Sequence, residues 1–439
     1  MSNGSDQRSS VPPAAAGPPG AGCPSTQVGE EILQPGRGPR YGLYVPAGPD
    51  TVSWGWVRAA GALPIATVAP GGLVTVDTIS HEGILLDQGR DPVAYFGSFG
   101  IDADAVLLDA IALAASAVVH DPAVDGPHVV TGPIWVEGAE PGDVVTVEVV
   151  DLLRRVPYGV ISNRHGRGAL PGELPEAGTG NGDPPLVVSR FATVDPVATV
   201  GAATRSTRAA VPATPAPIGA AHATAAPASV AGGARAATVP ARRGGAASAS
   251  APPSTATVHA PAGGGLRLPL RPFLGLVAVA PAGGDAHSVP PGPHGGNLDV
   301  RLLGKGSRLH LPVRCEGALV QVGDPHFAQG DGEIALTALE GSLRAVLRIH
   351  LTKAACPSWD LPYGETDEAW ILLGLHQDLD EAVRIATRAA LALVTERTGV
   401  DRATAYAWLS AAADLSVSQV VDGVKGVHFA VPKAWLSAI

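Results

Sequence analysis

"GDVVTVEVVDLL", residues 142–153, decides the fold. Val145, Val147 and Val149 alternate with Val144, Thr146 and Glu148, which is the period of two that a half-buried strand requires. The same texture recurs in "GGLVTVDTIS" (71–80), "RLHLPVRCEGALVQVGD" (308–324) and "GSLRAVLRIHLTK" (341–353). Short Val, Thr and Ile runs punctuated by Gly and Pro therefore predict β structure of barrel or sandwich type over 41–198 and again over 266–377. The predicted class is mostly β, a β-rich α+β chain with duplicated barrel- or sandwich-like halves. "VEGAEPGD" (136–143) and "CEGALVQVGD" (315–324) echo each other, and a duplicated unit brings Asp143 and Asp324 to equivalent places.

Two other textures interrupt this one. Residues 199–265 contain Ala, Pro, Thr, Ser, Gly and Arg but no Asp, Glu or Lys. So few large apolar side chains do not offset the entropy of ordering, which predicts a disordered insertion. Out-of-frame reading of a GC-rich gene gives the same composition. From 378 to 439 the pattern turns to a helical hairpin and a closing strand, with "DLDEAVRIATRAALALVTERTG" opening on acidic residues and stopping at Gly399. Its first helix is apolar on more than one face, which suggests packing against a neighbouring subunit. Residues 1–40 read as a disordered tail without the basic and apolar runs of a secretory signal.

The 439 residues carry a formal net charge of -10, which argues against a nucleic-acid partner. Cys23, Cys315 and Cys356 form neither a disulfide framework nor a cysteine-rich zinc site, and point to a reducing, cytoplasmic setting. The longest apolar run, "VLLDAIALAASAVV" (106–119), contains Asp109 and is shorter than the ~20 residues a bilayer demands, so no membrane span is expected.

Polar groups gather among glycines in four stretches: "TISHEGILLD", "DGPHVVTGPIWVEGAEPGD", "PPGPHGGNLDVRLL" and "VGDPHFAQGDGE" (322–333). The last holds Asp324, His326, Gln329, Asp331 and Glu333 within twelve positions. Its plain alternative is an acidic turn, because Asp and Gly are favoured wherever the chain reverses. On a strand, however, Asp324 and His326 share a face, a spacing suited to two ligands of one ion. Oxygen ligands from Asp331, Glu333 or Glu140 would favour zinc, manganese or calcium over copper. Gly295 and Gly296 let the backbone approach a partner strand or a ligand closely. The nucleophile elbow, phosphate loop, HExxH and CxxC patterns are missing from the sequence.

The ordered set "HVVTGPIWVEGAEPGDVVTVEVVDL", "PFLGLVAVAPAG", "PPGPHGGNLDVRLL" and "GALVQVGDPHFAQGDGE" resembles the acetamidase/formamidase family. The similarity runs from about Thr51 through "DLSVSQVVDGVKGVHFAVPK", excepting residues 199–265, where the chain departs from the pattern. The resemblance implies a mostly β fold with duplicated halves, a homo-oligomer, a bound divalent metal with zinc among the candidates, and hydrolysis of small amides such as formamide or acetamide. Its motifs match at Glu137, Glu140, Asp143, His294, Asn297, Asp299, Asp324, His326, Gln329, Asp331 and Glu333. Taken with the strand spacing and polar stretches read above, the expected metal ligands are Asp324, His326, His81 and Asp143. Glu333, ahead of Asp331, is the expected proton carrier, with Asn297 and Glu140 completing the catalytic set. His294, Gly295, Gly296 and Gln329 are the expected substrate-binding residues. Two alternatives stay open: a non-catalytic β protein with structural calcium, and a hydrolase of a larger amide or carbamate.

Overall fold

The valine segment forms the Val144–Arg154 strand. Val145, Val147 and Val149 enter the hydrophobic core. On the other face, Thr146 Oγ1 lies 2.8 Å from His310 Nδ1 and a Glu148 carboxylate oxygen lies 2.7 Å from His350 Nε2. Cross-strand pairs thus satisfy the positions that the sequence leaves polar.

The computed structural model describes residues 31–164, 166–176, 186–195, 254–261, 263–355 and 360–436. Among these residues nine strands form one sheet, in which Val144–Arg154 lies between Leu343–Thr352 and Arg308–Pro312. Strands from both predicted β stretches therefore alternate within a single sheet. A second, eleven-stranded sheet contains the neighbouring sequence Tyr158–Arg164, Leu339–Glu340, Val320–Ala328, Phe273–Ala278 and Gly295–Asn297. Val129–Val136 also pairs with Val320–Ala328. The mostly β class holds, but among the described residues both sheets are open, because each ends in strands paired along one side, and no closed barrel forms.

Two expected disordered stretches are partly ordered. Residues 31–40 are fastened by buried guanidinium groups, which need acceptors for their N–H bonds. Arg155 Nε donates to the Leu33 carbonyl at 3.0 Å, and Arg344 Nη2 to the Gln34 carbonyl at 3.2 Å. The same arginines pair with Asp109 at 2.7 Å and Asp77 at 2.6 Å inside the core. Within 199–265, Thr255–His259 is a strand paired with Val187–Val194 and Gly265–Pro269, and Asp195 accepts from the hydroxyls of Thr255 and Thr257. The remainder of both expectations lies outside the described residues, as do Cys23 and Cys356.

The predicted hairpin is present as helices Leu379–Thr398 and Arg402–Ala412. Asp378 caps the first by accepting from the Glu381 amide at 3.0 Å, and Gly399 ends it at φ 71°. Its buried Ala382, Ala386, Ala390 and Leu393 pack with Leu372, Val427 and Phe429 of strands Ala369–His376 and Lys425–Pro432. The helix's apolar width is thus used in part by its own sheet. No helix among the described residues is long and apolar enough to cross a membrane.

Gly374 permits this close approach: a Cβ there would stand 1.9 Å from the Ala382 carbonyl oxygen. Gly374→Ala should force the helix outward and lower stability by ~1–3 kcal/mol, the range for an overpacked core. Urea denaturation followed by circular dichroism checks this; an unchanged midpoint would show that the helix is not seated so tightly.

Candidate active site

The Val320–Ala328 strand carries Asp324 and His326 inward, and the elements around it supply the remaining groups. Leu339–Glu340 brings Glu340 opposite His326 by strand pairing. Gly295–Asn297 delivers Asn297 and, just beyond, Asp299. His128 precedes Val129–Val136, His81 and Glu82 follow Leu73–Asp77, and Asp422 sits between the last two strands. Glu333 lies on the turn after the central strand. All ten side chains are buried, each in a residue no more than 7% exposed.

Their ionisable atoms converge. His326 Nε2 lies 2.9 Å from Asp324 Oδ2, 3.1 Å from Glu340 Oε1 and 4.0 Å from Glu333 Oε1. His81 Nδ1 and His128 Nε2 approach the other oxygen of Asp324 at 3.9 and 3.8 Å. The far edges of these two rings are held, His128 Nδ1 by Ser288 Oγ at 3.0 Å and His81 Nε2 by Glu82 Oε1 at 3.3 Å. Asn297 Nδ2 donates to Asp422 at 3.0 Å.

This packing leaves buried atoms unsatisfied. His81 Nδ1, Asp324 Oδ1, both His326 nitrogens and Glu340 Oε2 have no aligned hydrogen-bond partner. Such orphaned groups are costly in a dry interior. The atoms of His81, His128 and Asp324 lie within 4.8 Å of one another, as do those of Asp324, His326 and Glu340, and those of Asp299, His326 and Glu333. Imidazole and carboxylate donors at such spacings suit zinc, whose ligands stand ~2.0–2.2 Å from the ion. The residues therefore fit a divalent cation.

Backbone geometry supports the same convergence. Asp299, Asp324 and Glu333 adopt φ of 51°, 51° and 47°, the left-handed region that side chains rarely occupy. Three strained acids in one cluster are characteristic of a site whose surroundings over-determine it. Gly275 faces them from the Phe273–Ala278 strand, and a Cβ there would lie 2.2 Å from Asp324 Oδ2 and 2.4 Å from Asp299 Oδ1.

Burial drives the electrostatics, followed by like charge. It raises Asp299 and Glu333 well above ordinary carboxyl values, reinforced by the surrounding acids, and raises Glu340 as well. Asp422 is pushed up to about 7 by burial and Asp324. Asp324 also feels burial, yet His326, His128 and His81 outweigh it and hold the carboxyl low. Burial brings His128 down to about 4. For Glu82, burial is overcome by Arg164, His81 and Ser162, which bring its carboxyl to about 2.

The structure thus brings together Asp324, His326, His81, Glu333 and Asn297 from the sequence-derived set. It places others elsewhere. Glu140 and Asp143 both bind Lys353, each at 2.8 Å, so this acidic turn neutralises a lysine and Asp143 does not repeat the surroundings of Asp324. Asp331 forms a two-point pair with Arg301 at 2.7 and 2.8 Å. Gln329 Nε2 donates to the Asp299 carbonyl at 2.9 Å, bracing the backbone beneath the cluster. Gly295 gives its N–H to the Gly292 carbonyl at 2.9 Å, and Gly296 lies in the same strand, paired with Val277. His294 packs beside Gly292 and Gly296, and burial with nearby Arg314 lowers it to about 4. Glu340, Asp422, His128 and Glu82 were not assigned from sequence. Only strand pairing and the hairpin reveal the first two, whereas His128 and Glu82 stand inside polar stretches already singled out.

Comparison with known proteins agrees with the sequence resemblance. The acetamidase/formamidase family model matches residues 265–364, a span that includes Asn297, Asp299, Asp324, His326, Glu333 and Glu340. A formamidase of Methylophilus methylotrophus is 48% identical over 60 residues, 14% of this chain and 15% of that protein. An acetamidase of Mycolicibacterium smegmatis is 51% identical over 59 residues, 13% of this chain and 14% of that protein. These alignments thus span about a seventh of each relative. The crystal structure of an acetamidase from Bacillus halodurans superposes with a TM-score of 0.60 at 23% identity, covering 90% of this chain and 99% of that one, which establishes a shared fold.

Two outcomes follow from the geometry. Gly275→Ala should displace Asp324 and weaken any divalent-ion binding at the cluster by about tenfold or more, as disturbed ligand support does; chelator competition giving parental affinity would contradict it. Asp422 has a folded value near 7 against 3.8 unfolded, so its contribution stabilises the fold at acidic pH and is lost as pH rises through about 7. Ion-free protein should therefore lose thermal stability across that window, and the loss should shrink in Asp422→Asn; an identical slope in the variant would exclude Asp422 as its source.

Proposed function

We propose that this chain, which resembles the acetamidase/formamidase family, is a metal-assisted amidohydrolase that cleaves small linear amides to a carboxylate and ammonia. One observation carries this reading: imidazole and carboxylate atoms converge with unsatisfied hydrogen-bonding capacity, and those of Asp324, His326 and Glu340 lie inside the segment that matches the family model. His81, His128, Asp324 and His326 would hold the ion, with Glu340 beside them. Zinc is the candidate that best suits this mixture of nitrogen and oxygen donors. A divalent ion there supplies Lewis acidity and a water of lowered pKa.

The protein's own residues govern the proton. Glu333 is buried next to His326, and burial raises its pKa well above the ordinary carboxyl range, which makes its carboxylate a stronger base. In its carboxylate form it takes a proton from water as the water oxygen bonds to the amide carbon, and it then delivers that proton to the departing nitrogen, so the C–N bond breaks and ammonia leaves. Proton transfer of this kind typically contributes ~10² to 10⁴-fold. Asn297 orders Asp422 beside Asp299, keeping the acidic wall in place. Asp331, paired with Arg301, steadies the turn that carries Glu333. The family resemblance further supports a homo-oligomer, and the cysteine content supports a cytoplasmic setting.

Glu333→Gln separates catalysis from structural ion binding. Turnover of formamide or acetamide should fall by at least ~100-fold while zinc affinity stays close to that of the parent protein. Parental turnover, or joint loss of zinc and folded structure, would contradict the assigned role.

A further inference from the structure

We infer that Glu82 is a positioning residue: its carboxylate, fixed by Arg164 and Ser162, holds the Nε2 edge of His81 and turns Nδ1 toward Asp324 and His128. The inference rests on the ion-binding reading above and adds to it the group that selects the binding nitrogen.

The contacts form a chain from the protein surface to the site. Asp87, with its side chain 28% exposed, receives Arg164 Nε at 2.7 Å. Arg164 Nη1 donates to Glu82 Oε1 at 3.2 Å, and the same oxygen lies 3.3 Å from His81 Nε2. Ser162 donates its hydroxyl to Glu82 Oε2 at 2.5 Å, and Ser189 Oγ lies 2.9 Å behind it. Gln88 Nε2 also contacts Oε2. Glu82 is therefore a buried anion surrounded by donors, and one of those donors is a ring of the site.

The chemistry selects one tautomer. A carboxylate only accepts hydrogen bonds, so a neutral His81 must carry its proton on Nε2. Nδ1 is then left with its lone pair, facing Asp324 Oδ1 at 3.9 Å and without a hydrogen-bond partner. Carboxylates that support a metal-binding histidine in this way fix ring orientation, and their loss typically weakens metal affinity ~10 to 100-fold. A role limited to pairing Arg164 would not require His81, because Asp87 already pairs with that arginine.

The test combines imidazole nitrogen NMR of the full chain at alkaline pH with zinc affinity measured by chelator competition. The His81 signal is assigned by its disappearance in His81→Asn. Wild type should show the Nε2–H tautomer, and Glu82→Gln should shift His81 toward Nδ1–H while zinc affinity falls ~10 to 100-fold. Should Glu82→Gln fail to fold, Ser162→Ala removes one support and should weaken zinc binding several-fold. A wild-type Nδ1–H tautomer, or parental zinc affinity in the folded variant tested, overturns the inference. Failure of wild type to bind zinc would overturn the ion-binding reading, whereas the tautomer measurement would still decide what Glu82 does to His81.

Discussion

Five carboxyl groups, from Asp299, Asp324, Glu333, Glu340 and Asp422, share a water-poor volume with the imidazoles of His81, His128 and His326. Like charges at these separations repel strongly where solvent does not screen them. Protonation relieves part of that repulsion, as the raised values of Asp299, Glu333, Glu340 and Asp422 show. A bound cation would relieve it further and give the unpartnered ligand atoms a common neighbour. Gly275 leaves the room that the Asp324 and Asp299 carboxylates occupy in this arrangement. Buried carboxyls shifted in this way by burial and neighbouring charge are characteristic of functional sites.

The part of the site that could be read in the sequence is its local part. "VGDPHFAQGDGE" places Asp324, His326 and Glu333 within reach of one another through a strand and its following turn. The expected shared face of Asp324 and His326 is realised as a 2.9 Å contact, with Asp324 in a left-handed conformation that simple alternation does not anticipate. Glu340 and Asp422 arrive through pairing between distant segments, which spacing does not disclose. In "VEGAEPGD" ordinary turn chemistry prevails: Glu140 and Asp143 neutralise Lys353. Asp331 similarly looks like Glu333 in sequence, but Arg301 claims it.

The fold shows the same division between local and distant information. Valine alternation, the Asp378 cap and the glycine at 399 identify strands and helices because each acts over a few residues. Sheet membership depends on long-range pairing, and the two β stretches interleave so that Val144–Arg154 lies between Leu343–Thr352 and Arg308–Pro312. Composition also misses the order of residues 31–40. Buried Arg155 and Arg344 recruit the carbonyls of Leu33 and Gln34, an interaction between a tail and a distant core.

An ion-dependent amide-hydrolysing centre at this buried cluster, as proposed, must release ammonia from small amides only when it holds its ion. Its most direct test is ammonia release from formamide and acetamide by the full chain, after chelator treatment and again after zinc or manganese is restored. The expected result is release that the chelator abolishes and one of these ions recovers. Undiminished release from ion-stripped protein, or no release from folded, ion-loaded protein, would contradict it.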